Sequence, residues 1–272
     1  MGEVESLWVA GRGALGRSLA RALNAPLLSG RELASQAPPA PAAVVFLAVP
    51  DAALGPLAQS LAAAGWPEQV SFVHLAGALG LGELARLGEA GHAVGSFHPL
   101  QSFPGERAPS AFQGITIAVD ASNQALLSCL EQLAARLGAS PRRVAGEKRG
   151  LYHAAAVLAS GGLASLLEAA LRVLGEAGWS RQDSLSALLP LAEGTLQEVR
   201  RRGLPEALSG PFRRGDEVTV RSNLLALQEP SLNLPQEIYV ALGLVAIELG
   251  EAIGLDPDRV RRLRAALEEA VP

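Results

Sequence analysis

The chain has 272 residues, a formal net charge of −4, one cysteine, 29 glycines and 18 prolines. Hydrophobic residues make up 49% and charged residues 18%, which excludes a disordered, fibrous or nucleic-acid-binding chain. A single cysteine excludes an internal disulfide framework and fits a reducing, cytoplasmic compartment.

The acidic opening Met1-Gly2-Glu3-Val4-Glu5 runs straight into an apolar strand, unlike a signal peptide. In the first half, strand and helix signals alternate. The apolar run Leu7-Trp8-Val9-Ala10 is followed by a glycine-rich turn and then by residues 15–23 at helical spacing. Residues 37–41 form a stiff proline-rich connector, and residues 43–49 are a continuous apolar strand ended by Pro50-Asp51. A helix over 52–64, a strand over 70–75, a short helix over 81–89 and a strand over 93–97 come next. A further strand over 115–119 and a helix over 123–137, closed by Gly138, complete this half. Continuous apolar strands separated by helices predict a parallel sheet covered on both faces.

No convincing strand signal follows. Residues 147–174 form one long helical pattern with a bend at Gly161-Gly162, and residues 184–202 form another, irregular at Pro190. Residues 203–215 read as a loop. Asp216 caps a helix to about Leu227, Pro235 opens one over 236–253, and Asp256-Pro257 starts the last. The predicted fold class is therefore α/β, a parallel-sheet domain over 1–143 followed by an all-α domain over 144–272. Residues 150–167 carry no charge and reach the lower length limit of a membrane helix. Tyr152, His153, Ser160, Ser165 and three glycines argue instead for a buried helix of a soluble protein, with no membrane partner. Arg214-Gly215-Asp216 spells an adhesion tripeptide in a chain without extracellular features.

Gly11-Arg12-Gly13-Ala14-Leu15-Gly16 is G-x-G-x-x-G between a strand and a helix, the context that a dinucleotide site requires. Gly11 permits the tight turn, Gly13 lets backbone approach a pyrophosphate, and Gly16 lets the helix pack on the strand. The helix N-terminus supplies free N–H groups. After the second strand, Ser29-Gly30-Arg31 stands where an NAD site wants an acid. Ser29 and Arg31 suit a 2′-phosphate, so NADP is the expected cofactor, with Arg12 within reach of the adenine or the phosphate. Val49, Pro50, Asp51, Ala76 and Gly77, at strand ends, are expected on the nicotinamide side.

His74, His98 and His153 fall at strand ends or in the uncharged helix, whereas His92 reads as loop surface. A histidine suits proton transfer to or from a substrate oxygen, which makes His98 and His153 candidates; at an X-Pro turn, His98 could equally bond backbone. Of the 23 basic residues only Lys148 is a lysine, and it lies four residues before Tyr152 on one helical face. His153 lies about 140° away, which requires an irregular helix start if all three meet in one cleft. Lysine can give up a proton near neutral pH and arginine cannot. No histidine or cysteine spacing marks a metal site.

Ser96-Phe97-His98-Pro99-Leu100-Gln101-Ser102-Phe103, residues 152–160, and Ser209-Gly210-Pro211 through Arg214-Gly215-Asp216 resemble signatures of one bacterial family. Its members are Rossmann-like proteins with a helical C-terminal domain of unknown function, labelled oxidoreductases. One departure is Gly161-Gly162, where an asparagine is expected. The layout is also similar to 3-hydroxyacid dehydrogenases, pyrroline-carboxylate reductases, prephenate dehydrogenases and ketopantoate reductases. Placement of Lys148 matches the catalytic lysine of the first of these, and His98-Pro99 a His-Pro pair of the prephenate dehydrogenases. The resemblance implies an NADP-dependent oxidoreductase acting on a small polar substrate in an interdomain cleft near His98, Lys148, Tyr152 and His153. It also implies a homodimer formed through the helical domain. An NADP(H)-binding sensor without turnover would carry the same turn.

Overall fold

The computed structural model describes residues 6–35 and 43–270; the acidic opening and the connector over 37–41 lie outside the described residues. The chain forms two compact units, Met1–Ser160 and Gly161–Pro272. The first therefore carries, beyond residue 143, the segment that leads into the helices.

The first unit runs β1 (Ser6–Ala10), α1 (Ala14–Leu23), β2 (Leu27–Leu28), α2 (Gly30–Ser35), β3 (Ala43–Leu47), α3 (Asp51–Ala63) and β4 (Ser71–His74). It continues with α4 (Ala85–Glu89), β5 (Val94–Pro99), β6 (Thr116–Ala121), α5 (Gln124–Arg136), β7 (Ser140–Arg143) and α6 (Arg149–Val157). The sheet order is β2-β1-β3-β4-β5-β6-β7. Strand side chains alternate between two cores, as the period of two demands. Val9, Phe46, Val73 and Phe97 pack on one face with Leu19 of α1 and Leu130 of α5. Ala10, Val45, Leu47 and Phe72 pack on the other with Leu54 and Leu61 of α3. Burial on both faces is why these strands read as unbroken apolar runs.

Two features depart from the expected sheet. β5 and β6 are antiparallel, with His98 opposite Ala118. A parallel neighbour needs a crossover, usually a helix; here the link holds only a 3₁₀ turn, Pro109–Phe112, and Leu100 N–H bonds Thr116 O at 2.9 Å. The second is β7, a polar edge strand that pairs with β6 alone and so carries no apolar alternation. His92 is also buried rather than on the surface, with Nδ1 3.0 Å from Val70 O and its ring edge-on to Phe72.

The strand order reverses between β1 and β3, the place where open sheets bind ligands. The glycine-rich turn lies there. Gly11 has φ +134°, and a Cβ on it would stand 2.0 Å from Ala48 O. A Cβ on Gly16 would stand 1.9 Å from Gly11 O, whereas one on Gly13 would meet nothing within 4 Å.

The second unit comprises α7 (Leu163–Glu176), α8 (Arg181–Arg202), α9 (Gly210–Arg214), α10 (Glu217–Ala226), α11 (Asn233–Ala252) and α12 (Pro257–Glu268). Val220, Leu224, Ile247, Leu263 and Leu267 form its core. Asp216 accepts from Thr219 N–H at 3.1 Å and caps α10, and Gly215 closes α9 at φ 64°, so the Arg-Gly-Asp tripeptide is a helix junction. Pro190 sits inside α8. At Gly161-Gly162 the helical pattern becomes a π-helix, Leu158–Gly162. By length and composition Gly146–Glu176 and Pro230–Ala252 could each cross a membrane, and only 11% and 22% of their apolar windows are buried. The uncharged helix is therefore not the buried element its composition predicts.

Gly11→Ala and Gly16→Ala should each destabilise the first unit by at least roughly 1–3 kcal/mol through overpacking against backbone. Gly13→Ala should melt like the parent and lose only nucleotide affinity. Thermal melts and nucleotide titrations of the three variants check this.

Candidate nucleotide site and histidine cluster

The turn joins β1 to α1, whose N-cap Gly13 offers no side chain to the first helical N–H groups. Those donors and the helix dipole are thus available to an anion. They open on a cleft of about 550 Å³ lined by residues 11–16 with Ser29, Val49, Pro50, Asp51 and Ala76. Gly30, Ala48, Leu75 and Phe103 complete the lining. An open Gly13 and uncapped donors fit a nucleotide pyrophosphate.

At the end of β2, Ser29 and Glu32 cap each other: Ser29 N–H donates to Glu32 Oε2 at 2.6 Å and Glu32 N–H to Ser29 Oγ at 3.2 Å. Arg12 Nη2 donates to both Glu32 oxygens at 2.9 Å. The Ser29 backbone N–H, more than the Arg12 charge, holds the Glu32 carboxyl below the usual carboxylate range. Arg31 is exposed, does not line the cleft, and has no ion pair among the described residues.

A second group of polar side chains gathers past the end of β4. Arg149, the first residue of α6, is fully buried. Its Nη1 donates to Ala76 O at 3.3 Å and its Nη2 to Ser96 Oγ on β5, while Nε has no partner. No carboxylate bonds it, and burial lowers its pKa. Two residues on from Ser96, and so on the same face of β5, His98 Nδ1 lies 2.7 Å from Tyr152 Oη. His98 and His153 rings stand edge to face, 6.0 Å between centroids. A Cβ on Gly77 would come within 2.8 Å of His98 Nε2 and 2.6 Å of His153 Nδ1, so only glycine leaves room for both rings. His153 Nδ1 is buried without a partner.

Burial, then the Arg149 charge, then His153 push the pKa of His98 down from 6.5 to about 4. His74, fully buried with both ring nitrogens unbonded, drops to about 4 through burial and then Arg149. The Gly80 backbone near its ring only tempers this. Burial raises the Tyr152 hydroxyl to about 12, against the pull of Arg149. At neutral pH both imidazoles are neutral and Tyr152 keeps its proton. Among the described residues the one side-chain partner of that hydroxyl is His98 Nδ1, and donation to it places the His98 hydrogen on Nε2, over Gly77.

Three of the four expected catalytic residues thus gather together, His98 and His153 beside Gly77 and Tyr152 on the far nitrogen of His98. Lys148 is exposed in the 3₁₀ turn Gly146–Lys148 and has no hydrogen bond within the cluster. The residue beside it, Arg149, turns inward instead. Arg149, Tyr152 and His153 lie at i, i+3 and i+4 of one helical face, a pattern that was present in the sequence and could have singled it out. Ser96 is the other participant that spacing did not mark.

The sheet and the turn define a Rossmann-like α/β fold, followed along the chain by a helical region. Residues 115–245 match the family described as Domain of unknown function (DUF2520), which takes in the end of the sheet and most of the helices. Thermotoga maritima protein TM1727 superimposes with a TM-score of 0.73 at 23% identity, over 91% of this chain and 99% of that one. Bacteroides fragilis BF3122, a candidate NADP oxidoreductase, gives 0.71 at 23% identity over 90% and 100%. Plasmodium falciparum pyrroline carboxylate reductase, solved with NADP bound, gives 0.55 at 13% identity over 99% and 98%. At these identities the likeness is one of fold. No curated protein matches the chain.

Because the folded pKa of His74 and His98 lies below that of a free histidine, the unfolded chain binds more protons between pH 6.5 and about 4. Stability should be full above pH 6.5 and fall as pH drops through that window. His98→Gln should flatten the fall relative to the parent in melts across pH; an unchanged slope would contradict the neutral-histidine assignment.

Proposed function

We propose that the protein is an NADP-dependent oxidoreductase that moves hydride between nicotinamide and the carbonyl, imine or alcohol carbon of a small polar substrate. The observation that carries this reading is the convergence of His98 Nε2 and His153 Nδ1 on Gly77, one residue beyond Ala76 of the nucleotide cleft. A sensor without turnover has no need for polar nitrogens there. Support for the cofactor comes from the glycine-rich turn and from the fold shared with a reductase that holds NADP.

The nucleotide would lie along residues 11–16, with its 2′-phosphate toward Ser29, Arg12 and Arg31, and would supply or accept the hydride. The chain's own residues manage the proton. In the reducing direction the His98 Nε2–H proton passes to the substrate oxygen as the carbonyl pair moves onto it. In the same step Tyr152 gives its proton to Nδ1, so that His98 stays neutral and the Arg149 charge favours the phenolate; a solvent proton taken up at Nε2 and return of the Nδ1 proton to Tyr152 restore the resting state. In the oxidising direction the same path runs backwards. His153 Nδ1 orients the substrate. Lys148, exposed and outside this relay, is assigned no proton.

The exposed apolar faces of the helical unit are assigned to a second copy of this chain. Leu225 is 69% exposed and Leu191 68%, and a groove of about 580 Å³ runs between α7, α10 and α11. Exposed apolar area on this scale marks an interaction surface.

Fluorescence titration should show NADPH binding more tightly than NADH; equal or tighter NADH binding would contradict the cofactor assignment. Against a panel of small oxo acids and cyclic imines, His98→Gln should lower NADPH oxidation roughly a hundredfold or more while leaving NADPH affinity intact. Analytical ultracentrifugation should give a dimer at micromolar concentration; a monomer would remove the assigned partner.

A further inference from the structure

We infer that Glu32 sets the balance between the two nicotinamide nucleotides by holding Arg12 away from the 2′-phosphate. This rests on the nucleotide reading of the cleft. The end of β2 is where such a fold reads the adenosine ribose. There the sequence has no acid, since Ser29 follows the strand directly. The structure supplies one all the same: Glu32 folds back until its carboxylate bonds the Ser29 N–H at 2.6 Å. The acid thereby reaches the strand end from three residues downstream.

Two consequences follow from chemistry. An ionised carboxylate accepts hydrogen bonds from a ribose diol and repels a phosphate. The same carboxylate also engages the Arg12 guanidinium, the cation of the turn that lines the cleft, through both of its oxygens. A 2′-phosphate must therefore take Arg12 from Glu32, whereas a 2′-hydroxyl need not. The exchange is cheap, because the pair is exposed, at 56% and 41% of the two side chains, and pairs of that kind are weak. Selectivity for NADP is thus restrained rather than abolished, and one side chain holds the restraint.

Glu32→Gln is the informative change. Glutamine keeps the hydrogen bond to Ser29 N–H that caps α2 but gives up the charge that holds Arg12. Direct fluorescence titration of the full chain with NADPH and NADH reads the result, and a thermal melt confirms folding. We expect the NADPH-over-NADH affinity ratio to rise roughly threefold to fivefold, the scale of one exposed ion pair. Arg12→Gln, which leaves the carboxylate in place, should move the ratio the other way by a similar factor. An unchanged ratio in Glu32→Gln, with the wild type binding both nucleotides, would overturn the inference alone. If the wild type binds neither nucleotide, the nucleotide reading itself falls and takes this inference with it.

Discussion

The buried guanidinium of Arg149 is the constraint on which the rest of the candidate site depends. It ties the first turn of α6 to two strands at once, through Ala76 O after β4 and Ser96 Oγ on β5. A buried charge is costly unless its hydrogen bonds are made, and arginine, weakly hydrated and with five donors in a fixed fork, bears that cost best. Holding α6 at this angle brings Tyr152 and His153, one turn further along, to His98. Burial first, and then the same charge, keep His74 and His98 unprotonated. One side chain therefore fixes the geometry of the cluster and adds to the burial that sets its protonation.

The nucleotide end is built on a different principle. Its groups are backbone N–H donors, glycines that give room, and an exposed ion pair that can open. Gly11 and Gly16 are demanded by the packing of turn, strand and helix, while Gly13 is open and faces the cleft. Rigid packing around the histidine cluster, and an exposed, exchangeable pair beside the glycine-rich turn, divide the first unit into two kinds of site. Gly77 stands between them, small enough to let two imidazoles close over the strand end.

Much of this was legible in the sequence, and the exceptions have physical causes. The strands buried on both faces announced themselves as apolar runs, and the glycines announced the tight turn between β1 and α1. β7 gave no signal because an edge strand with polar exposed residues has no alternation to read. The reversal at β6 is set by the length and content of the link after Pro99, which periodicity does not register. His92 reads as surface because its burial depends on Phe72 and the Val70 carbonyl, brought to it by the fold. At the candidate site, His98, Tyr152 and His153 were found as polar residues at strand ends and in an uncharged helix. Rarity marks Lys148, whereas helical phase marks Arg149 beside it. The Glu32 acid reaches the end of β2 only by folding back onto Ser29, which spacing along the chain does not register.

In the mechanism we propose, the cluster over Gly77 faces the reactive carbon of a bound nicotinamide. A crystal structure of the protein with NADPH would show this. The pyrophosphate should lie on the turn at residues 11–16 and nicotinamide C4 beside Gly77, with His98 Nε2 and His153 Nδ1 on the open side of the ring. A nicotinamide turned away from Gly77, with both imidazoles out of reach of C4, would contradict it.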